Sequence, residues 1–94
     1  MRKTLHSREY RLMLDLLVDV REARGKTQVQ LAADLKMRQS DLSKIERGVR
    51  RIDFVELRHW LIALDFDATS FSQEFERRLD AVVDRTERLG AIGS

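Results

Sequence analysis

Apolar residues recur along most of this chain at intervals of three and four, the period of an amphipathic helix. In the first such segment, which covers residues 9–24, they are Tyr10, Met13, Leu14, Leu17, Val18 and Val20. Gly25 follows, and a glycine just past the last turn is a common helix stop. The pattern predicts a first helix over residues 9–24, preceded by a short basic arm over residues 1–8.

Two shorter helical segments follow, separated by a turn of only three residues. Thr27 offers a hydroxyl N-cap for a helix over residues 28–35. After the turn at residues 36–38, a third helix is predicted from Gln39 to about Arg47, and Gly48 ends it. The side chains of this pair that we expect to face inward are Leu31, Ala32, Leu35, Leu42 and Ile45.

The second half of the chain predicts two more helices. Asp53 is the expected cap of a helix over residues 54–64. Its inner face carries Leu57, Trp60, Leu61 and Leu64, and we expect Trp60 to lie in the core. Ser70 is the expected cap of a fifth helix over residues 70–89, and residues 90–94 read as a frayed tail.

The fifth segment has apolar residues at steps close to a heptad. We expect Phe71 and Phe75 to pack on the domain. The later positions predict a seam that pairs with a second copy, namely Leu79, Val82, Thr86 and Leu89. The alternative, which the pattern leaves open, is that this segment folds back as a fifth core helix.

Composition narrows the class of protein. The chain of 94 residues is 43% hydrophobic and contains no proline and no cysteine. These figures favour a single all-α domain of about five helices, and the lack of cysteine excludes disulfides, thiolate-bound zinc and a cysteine nucleophile. No apolar run is long enough to span a bilayer, and no signal peptide is evident, so we expect a cytoplasmic protein. His6 and His59 are isolated, and the sequence predicts no metal site, no cofactor, no small-molecule ligand and no enzymatic centre.

Charge is distributed unevenly along the chain. The net charge is only +2, but residues 36–51 hold six basic and two acidic side chains, whereas residues 65–94 hold four arginines and seven acids. A basic patch in the middle of the chain is typical of nucleic-acid binding, although a solvated charged face gives the same pattern.

The predicted third helix has polar side chains that can form hydrogen bonds with bases in a DNA groove. With Leu42 and Ile45 inward, its outer face presents Gln39, Ser40, Ser43 and Lys44. A glutamine can bond adenine in a bidentate manner, and a lysine can reach the acceptors of guanine. The candidates for contact with the DNA backbone lie at the helix ends and in the next loop, namely Gln28, Arg38, Arg47, Arg50 and Arg51.

These segments together resemble the Cro and phage-repressor family of helix-turn-helix regulators, called the Xre family. The resemblance covers roughly residues 10–66 and rests on residues 20–28, Leu31-Ala32, residues 42–48, Leu57, Trp60 and Ala63-Leu64. It implies a lambda-repressor-like fold in which residues 9–66 form the DNA-binding domain. Three positions depart from the family pattern: Lys36 replaces a glycine, Arg38 a small hydroxyl residue, and Lys26 a leucine.

The resemblance also implies roles for matching residues. Gln28 matches a glutamine that contacts phosphate, and Gln39 and Ser40 match paired base-reading residues. Arg21 and Glu46 match a structural ion pair between the first helix and the recognition helix.

The sequence therefore predicts a bacterial or phage transcription regulator, a homodimeric repressor or activator that binds a palindromic site on double-stranded DNA. One alternative is an antitoxin-type module that binds a toxin partner and regulates its own operon. A second alternative is a helical bundle that does not bind DNA. The operator, the regulated genes, the inducing signal and any contact of the N-terminal arm with DNA do not follow from the sequence.

Overall fold

The computed structural model describes the backbone of residues 2–82 and the side chains of residues 8–82. Within this part of the chain it contains five α-helices and no strand, which confirms the all-α fold. The helices are α1 (Arg2–Ala23), α2 (Gln28–Leu35), α3 (Gln39–Glu46), α4 (Phe54–Ala63) and α5 (Ala68–Val82). Thr86 and Leu89, the last two residues of the predicted seam, lie outside the described residues.

Helix α1 is longer than the apolar pattern predicts. It begins at Arg2, so that residues 2–8, expected as a separate arm, continue the helix. No glycine or proline interrupts this stretch, and its residues tolerate helical backbone. The core-facing stripe includes Leu16, which is 2% exposed and which does not belong to the predicted apolar stripe of this helix. Leu16 is covered because α5 packs on that side of α1.

Two N-caps predicted from the sequence are confirmed. The Thr27 hydroxyl accepts a hydrogen bond from the backbone N–H of Gln30, and the Gln30 side chain accepts one from the N–H of Thr27. Asp53 and Glu56 form the same reciprocal arrangement at the start of α4. Each capping box satisfies two backbone N–H groups that would otherwise lack partners, and this fixes where α2 and α4 begin.

The turn between α2 and α3 depends on a left-handed residue that is not glycine. Lys36 has φ 56° and ψ 44°, and it is the C-cap of α2. Its N–H donates to the carbonyl of Ala33, and the next N–H, of Met37, donates to that of Ala32. These bonds close the end of α2 in the manner of a Schellman motif. The backbone thus keeps the shape for which the family uses glycine, at the steric cost of a side chain.

We expect Lys36→Gly to raise the free energy of unfolding by about 0.5–1 kcal/mol. The left-handed conformation costs about 1–2 kcal/mol for a residue with a Cβ, and the greater flexibility of glycine in the unfolded chain offsets part of that gain. Urea unfolding followed by circular dichroism measures the change. Lys36→Ala is the control, because it removes the charge but keeps the strain; an equal gain in that variant would attribute the effect to charge.

The start of α5 differs from the prediction. The helix begins at Ala68, and its cap is Asp67 rather than Ser70. The Asp67 carboxylate accepts hydrogen bonds from the N–H of Ser70 at 2.9 Å and from its hydroxyl at 3.2 Å. A carboxylate here also complements the positive end of the helix dipole. Ser70 therefore lies inside the first turn, as a partner of the cap.

Helix α5 folds back on α1 within one chain. Phe71 and Leu79 are 4% and 3% exposed, and the guanidinium of Arg78 bonds the carboxylate of Asp19 at 2.8 Å. Leu79, expected in a seam between two copies, thus serves packing inside the monomer. Of the described residues in that seam, Val82 is exposed, at 51%.

Acid should weaken the ion pairs that Glu74 forms along α5. Hydrogen bonds from Arg77 and Arg78 lower the pKa of the Glu74 carboxyl from 4.5 to about 2. A lowered pKa means that the stabilising contribution is present above the ordinary pKa and is lost as the pH falls towards the folded value. We expect Glu74→Gln to lower the melting temperature near neutral pH, and the difference from the wild type to shrink between about pH 5 and pH 2.

Thermal melts followed by circular dichroism across this pH range test the expectation. Glu22→Gln is the control, because Glu22 is an exposed carboxylate on α1 that bonds no other side chain among the described residues. If Glu74→Gln differed from the wild type equally at every pH, the ionised Glu74 carboxylate would not be the stabilising group.

Candidate nucleic-acid interface

The α2–α3 pair is held by a small apolar contact. Leu31 and Ala32 of α2 and Leu42 and Ile45 of α3 are all at most 2% exposed. Helix α3 also packs against α1, so it is supported on two sides. The small side chain of Ala32 lets the helices approach closely, and the three-residue turn leaves α3 with one face directed outward.

That outer face carries the side chains that the sequence predicted. Gln39, Ser40 and Lys44 are exposed, and Ser43 is half-buried. The opposite side of α3 is closed by Leu42, Ile45 and Glu46, which are buried. The structure therefore brings the four candidate base-reading residues together on one surface, which we call the α3 outer face.

A chain of hydrogen bonds connects this surface to the protein interior. Arg21 bonds both carboxylate oxygens of Glu46, from Nε at 2.7 Å and from Nη2 at 3.0 Å. Gln28 donates to the same carboxylate at 2.8 Å, and Gln39 donates to the side-chain oxygen of Gln28 at 2.7 Å. The ion pair is almost inaccessible to solvent, because the side chains of Arg21 and Glu46 are only 10% and 5% exposed. These bonds thus fix the orientation of the exposed Gln39 amide by linking it to the buried ion pair.

The basic residues around the α3 outer face differ in their partners. Arg38 is 82% exposed and pairs with Asp41. Arg50 pairs with Glu56 at 2.8 Å, and this contact raises the pKa of Arg50. Lys44 makes no hydrogen bond or ion pair within the described residues. Nearby carboxylates therefore balance the charges of Arg38 and Arg50, whereas the charge of Lys44 is unpaired within the described residues.

Comparisons with known proteins identify the arrangement. A helix-turn-helix family model matches residues 17–69, which include α2, α3 and α4. A solved structure described as an XRE-family like protein from Pseudomonas syringae pv. tomato str. DC3000 is similar to this chain, with a TM-score of 0.75 and 37% sequence identity over 81% of this chain and 93% of that one. This chain belongs to the Xre family of helix-turn-helix proteins. No curated protein sequence matches it.

Membership in the Xre family makes the protein a DNA-binding regulator of transcription. None of the helices within residues 2–82 is both long and apolar enough to cross a membrane. In the same part of the chain, no three carboxylate or imidazole side chains are grouped so as to hold a metal ion.

Two residues of α1 also shape this Xre-type surface, a role that the sequence pattern does not predict. The Tyr10 hydroxyl accepts a hydrogen bond from the N–H of Ile52 at 2.9 Å, and its ring lies 4.6 Å from the guanidinium of Arg51. Arg11 donates to the carbonyl of Glu46 at 2.7 Å, at the C-terminal end of α3. Both contacts join residues at least 35 positions apart, so no local pattern reveals them.

Proposed function

We propose that this Xre-family protein is a homodimeric, sequence-specific repressor that reads a palindromic operator through the major groove. The observation that carries the proposal is the α3 outer face. Its side chains are polar and mostly exposed, whereas the opposite side of α3 is buried against the rest of the domain. A helix of this size fits the major groove, where each base pair presents a distinct pattern of donors and acceptors.

Gln39 is the proposed principal base reader. One N–H of its amide is used by Gln28, which leaves the second N–H and the oxygen for N7 and N6 of an adenine. Lys44, one turn further along, is the proposed donor to guanine acceptors. Ser40 and Ser43 provide short hydroxyls that suit close approach of α3 to the bases.

The proposed contacts with phosphates surround that face. Gln28 lies at the first turn of α2, where the helix dipole favours an anion. Arg47 and Arg51 lie beyond the other end of α3, and the ring of Tyr10 supports Arg51. Arg38 and Arg50 would exchange a carboxylate partner for a phosphate, so their net contribution to affinity is smaller than that of an unpaired arginine.

Two copies related by a two-fold axis would present two α3 helices to successive major grooves about 34–36 Å apart. The operator would then be palindromic, because the symmetry of the site mirrors that of the protein. A dimer that occupies both half-sites at a promoter represses by covering DNA that polymerase needs.

Selection from random duplex DNA, followed by fluorescence-anisotropy titration of the enriched site at several salt concentrations, tests the proposal. We expect a palindromic site bound at least about a thousandfold more tightly than random DNA. Affinity should fall with salt on both DNAs, because phosphate contacts release counterions. No enriched site, with only weak and salt-sensitive binding, would overturn the proposal and favour the protein-binding alternative of an antitoxin.

A further inference from the structure

A pocket with a basic lining lies between α1 and the loop that follows α3. Its volume is about 240 Å³, and the residues that line it are Tyr10, Arg11, Leu14, Arg47, Gly48 and Arg51. Three of these six residues carry a guanidinium group, and none carries a carboxylate. By contrast, the cavities between α3 and α4 and between α1 and α5 are each lined by carboxylates. We call the basic site the arginine pocket.

Two arginines of the pocket have hydrogen-bond donors that the protein does not use. The guanidinium of Arg51 lies 4.6 Å from the centre of the Tyr10 ring, and it makes no hydrogen bond or ion pair within the described residues. In the same part of the chain, the side chain of Arg47 bonds only the Ser43 hydroxyl, from Nε at 3.3 Å. Both guanidinium groups therefore keep N–H donors and an unbalanced positive charge for an anion.

The third arginine, Arg11, prevents the end of α3 from repelling an anion. The C-terminal end of a helix presents carbonyl oxygens and the negative end of the helix dipole. Arg11 donates to the carbonyls of Glu46 and Arg47, at 2.7 and 3.3 Å. Its Nε bonds Asp15 at 3.1 Å, and Asp15 does not line the pocket. Each terminal nitrogen of Arg11 has a second N–H, so this side chain can bond a carbonyl and an anion at once.

Tyr10 and Gly48 complete the pocket. The Tyr10 hydroxyl accepts a hydrogen bond from the N–H of Ile52 at 2.9 Å, which leaves its own proton for donation. Gly48 leaves space beside Arg11, because a Cβ at this position would lie 3.4 Å from Cδ1 of Leu14 and 3.6 Å from Nη1 of Arg11. The pocket is thus open, positively charged and surrounded by N–H and O–H donors.

We propose that the arginine pocket binds a phosphate group. Guanidinium groups match the oxygens of phosphate in geometry as well as in charge, and the resulting bonds are among the strongest hydrogen bonds in proteins. The phosphate can belong to a small phosphorylated molecule or to the DNA backbone, because both present the same oxygens.

This inference deepens the proposed function, because Arg47 and Arg51 are two of its contacts with the DNA backbone. It adds Tyr10 and Arg11, which belong to α1, to the same binding site. It also gives the pocket a regulatory consequence. A small phosphorylated molecule in the pocket occupies donors that DNA needs, so it lowers the affinity for the operator.

Calorimetric titration of the full chain with inorganic pyrophosphate, without DNA and at constant ionic strength, tests a free phosphate as the ligand. We expect saturable binding that is weakened at least about tenfold in Arg51→Gln, because a charge-assisted contact is lost. Arg58→Gln is the matched control. Arg58 is an exposed arginine on α4 and does not line the pocket, so its replacement removes the same charge and should leave binding unchanged.

Duplexes with a single neutral methylphosphonate test the DNA backbone as the source of the phosphate. Each phosphate of the selected operator is replaced in turn, and the affinity is measured by fluorescence anisotropy. One replacement in each half-site should weaken binding of the wild type at least about tenfold. The same replacement should have little further effect in Arg51→Gln, where the contact is already lost. Tyr10→Phe keeps the stacked ring and removes one donor, so it should show the same pattern with a smaller effect.

The two titrations together decide the inference. Pyrophosphate binding that depends on Arg51 assigns a free phosphorylated molecule, and a methylphosphonate effect that disappears in Arg51→Gln assigns the DNA backbone. If neither titration depends on Arg51, the inference is wrong, even where a selected operator upholds the proposed function. If no operator is selected, the proposed function fails, and the pyrophosphate titration alone decides whether the pocket binds phosphate.

Discussion

Glu46→Ala should lower the free energy of unfolding by about 3–5 kcal/mol, the cost of leaving one partner of a buried ion pair without the other. The Glu46 side chain is 5% exposed and accepts two hydrogen bonds from Arg21 and one from Gln28. Without it, the guanidinium of Arg21 keeps only its bond to the carbonyl of Lys26. In a domain of this size, the melting temperature should fall by roughly 15 °C or more.

Urea unfolding of the single variant and of Arg21→Leu/Glu46→Met separates a charge effect from a packing effect. An apolar pair of similar volume is often as stable as the ion pair it replaces. We therefore expect the double variant to recover more than half of the loss. A single variant within about 1 kcal/mol of the wild type would mean that Arg21 reaches water once Glu46 is removed, which its burial argues against.

The sequence was sufficient to predict the features of the fold that depend on contacts between residues close together in the chain. Thr27 and Asp53 act on N–H groups three residues away, so the positions of α2 and α4 follow from short motifs. The inward and outward sides of α3 follow from Leu42 and Ile45, which are three positions apart and therefore lie on the same face of the helix. The pairing of Arg21 with Glu46 spans 25 residues, and only the resemblance to the Xre family suggested it.

The sequence alone does not predict features that depend on contacts between distant parts of the chain. The apolar period places Leu79 on a stripe of α5 but does not say whether that stripe meets α1 or a second copy. Asp67 and Ser70 are both suitable caps, and the local pattern does not distinguish them. Neither Tyr10 nor Arg11 has a local signal for its contact with the α3–α4 region, because those partners are brought near by the fold.

The second large effect concerns recognition. Gln39→Ala should weaken binding to the selected operator by about 1–3 kcal/mol, roughly 5- to 150-fold, and relax selectivity at one base position of each half-site. The physical reason is the loss of a bidentate contact whose donor and acceptor are already oriented, because Gln28 and Glu46 hold the Gln39 amide before DNA arrives.

Repeating the DNA selection and the anisotropy titration with the variant measures both consequences. Affinity for random duplex should change little, since phosphate contacts dominate non-specific binding. Gln73→Ala is the matched control, because Gln73 is an exposed glutamine on α5, outside the α3 outer face. If Gln39→Ala selected the same site with the same preference over random DNA, then base reading would depend on other side chains of α3, and the ordered chain from Arg21 to Gln39 would serve only to hold α2 and α3 together.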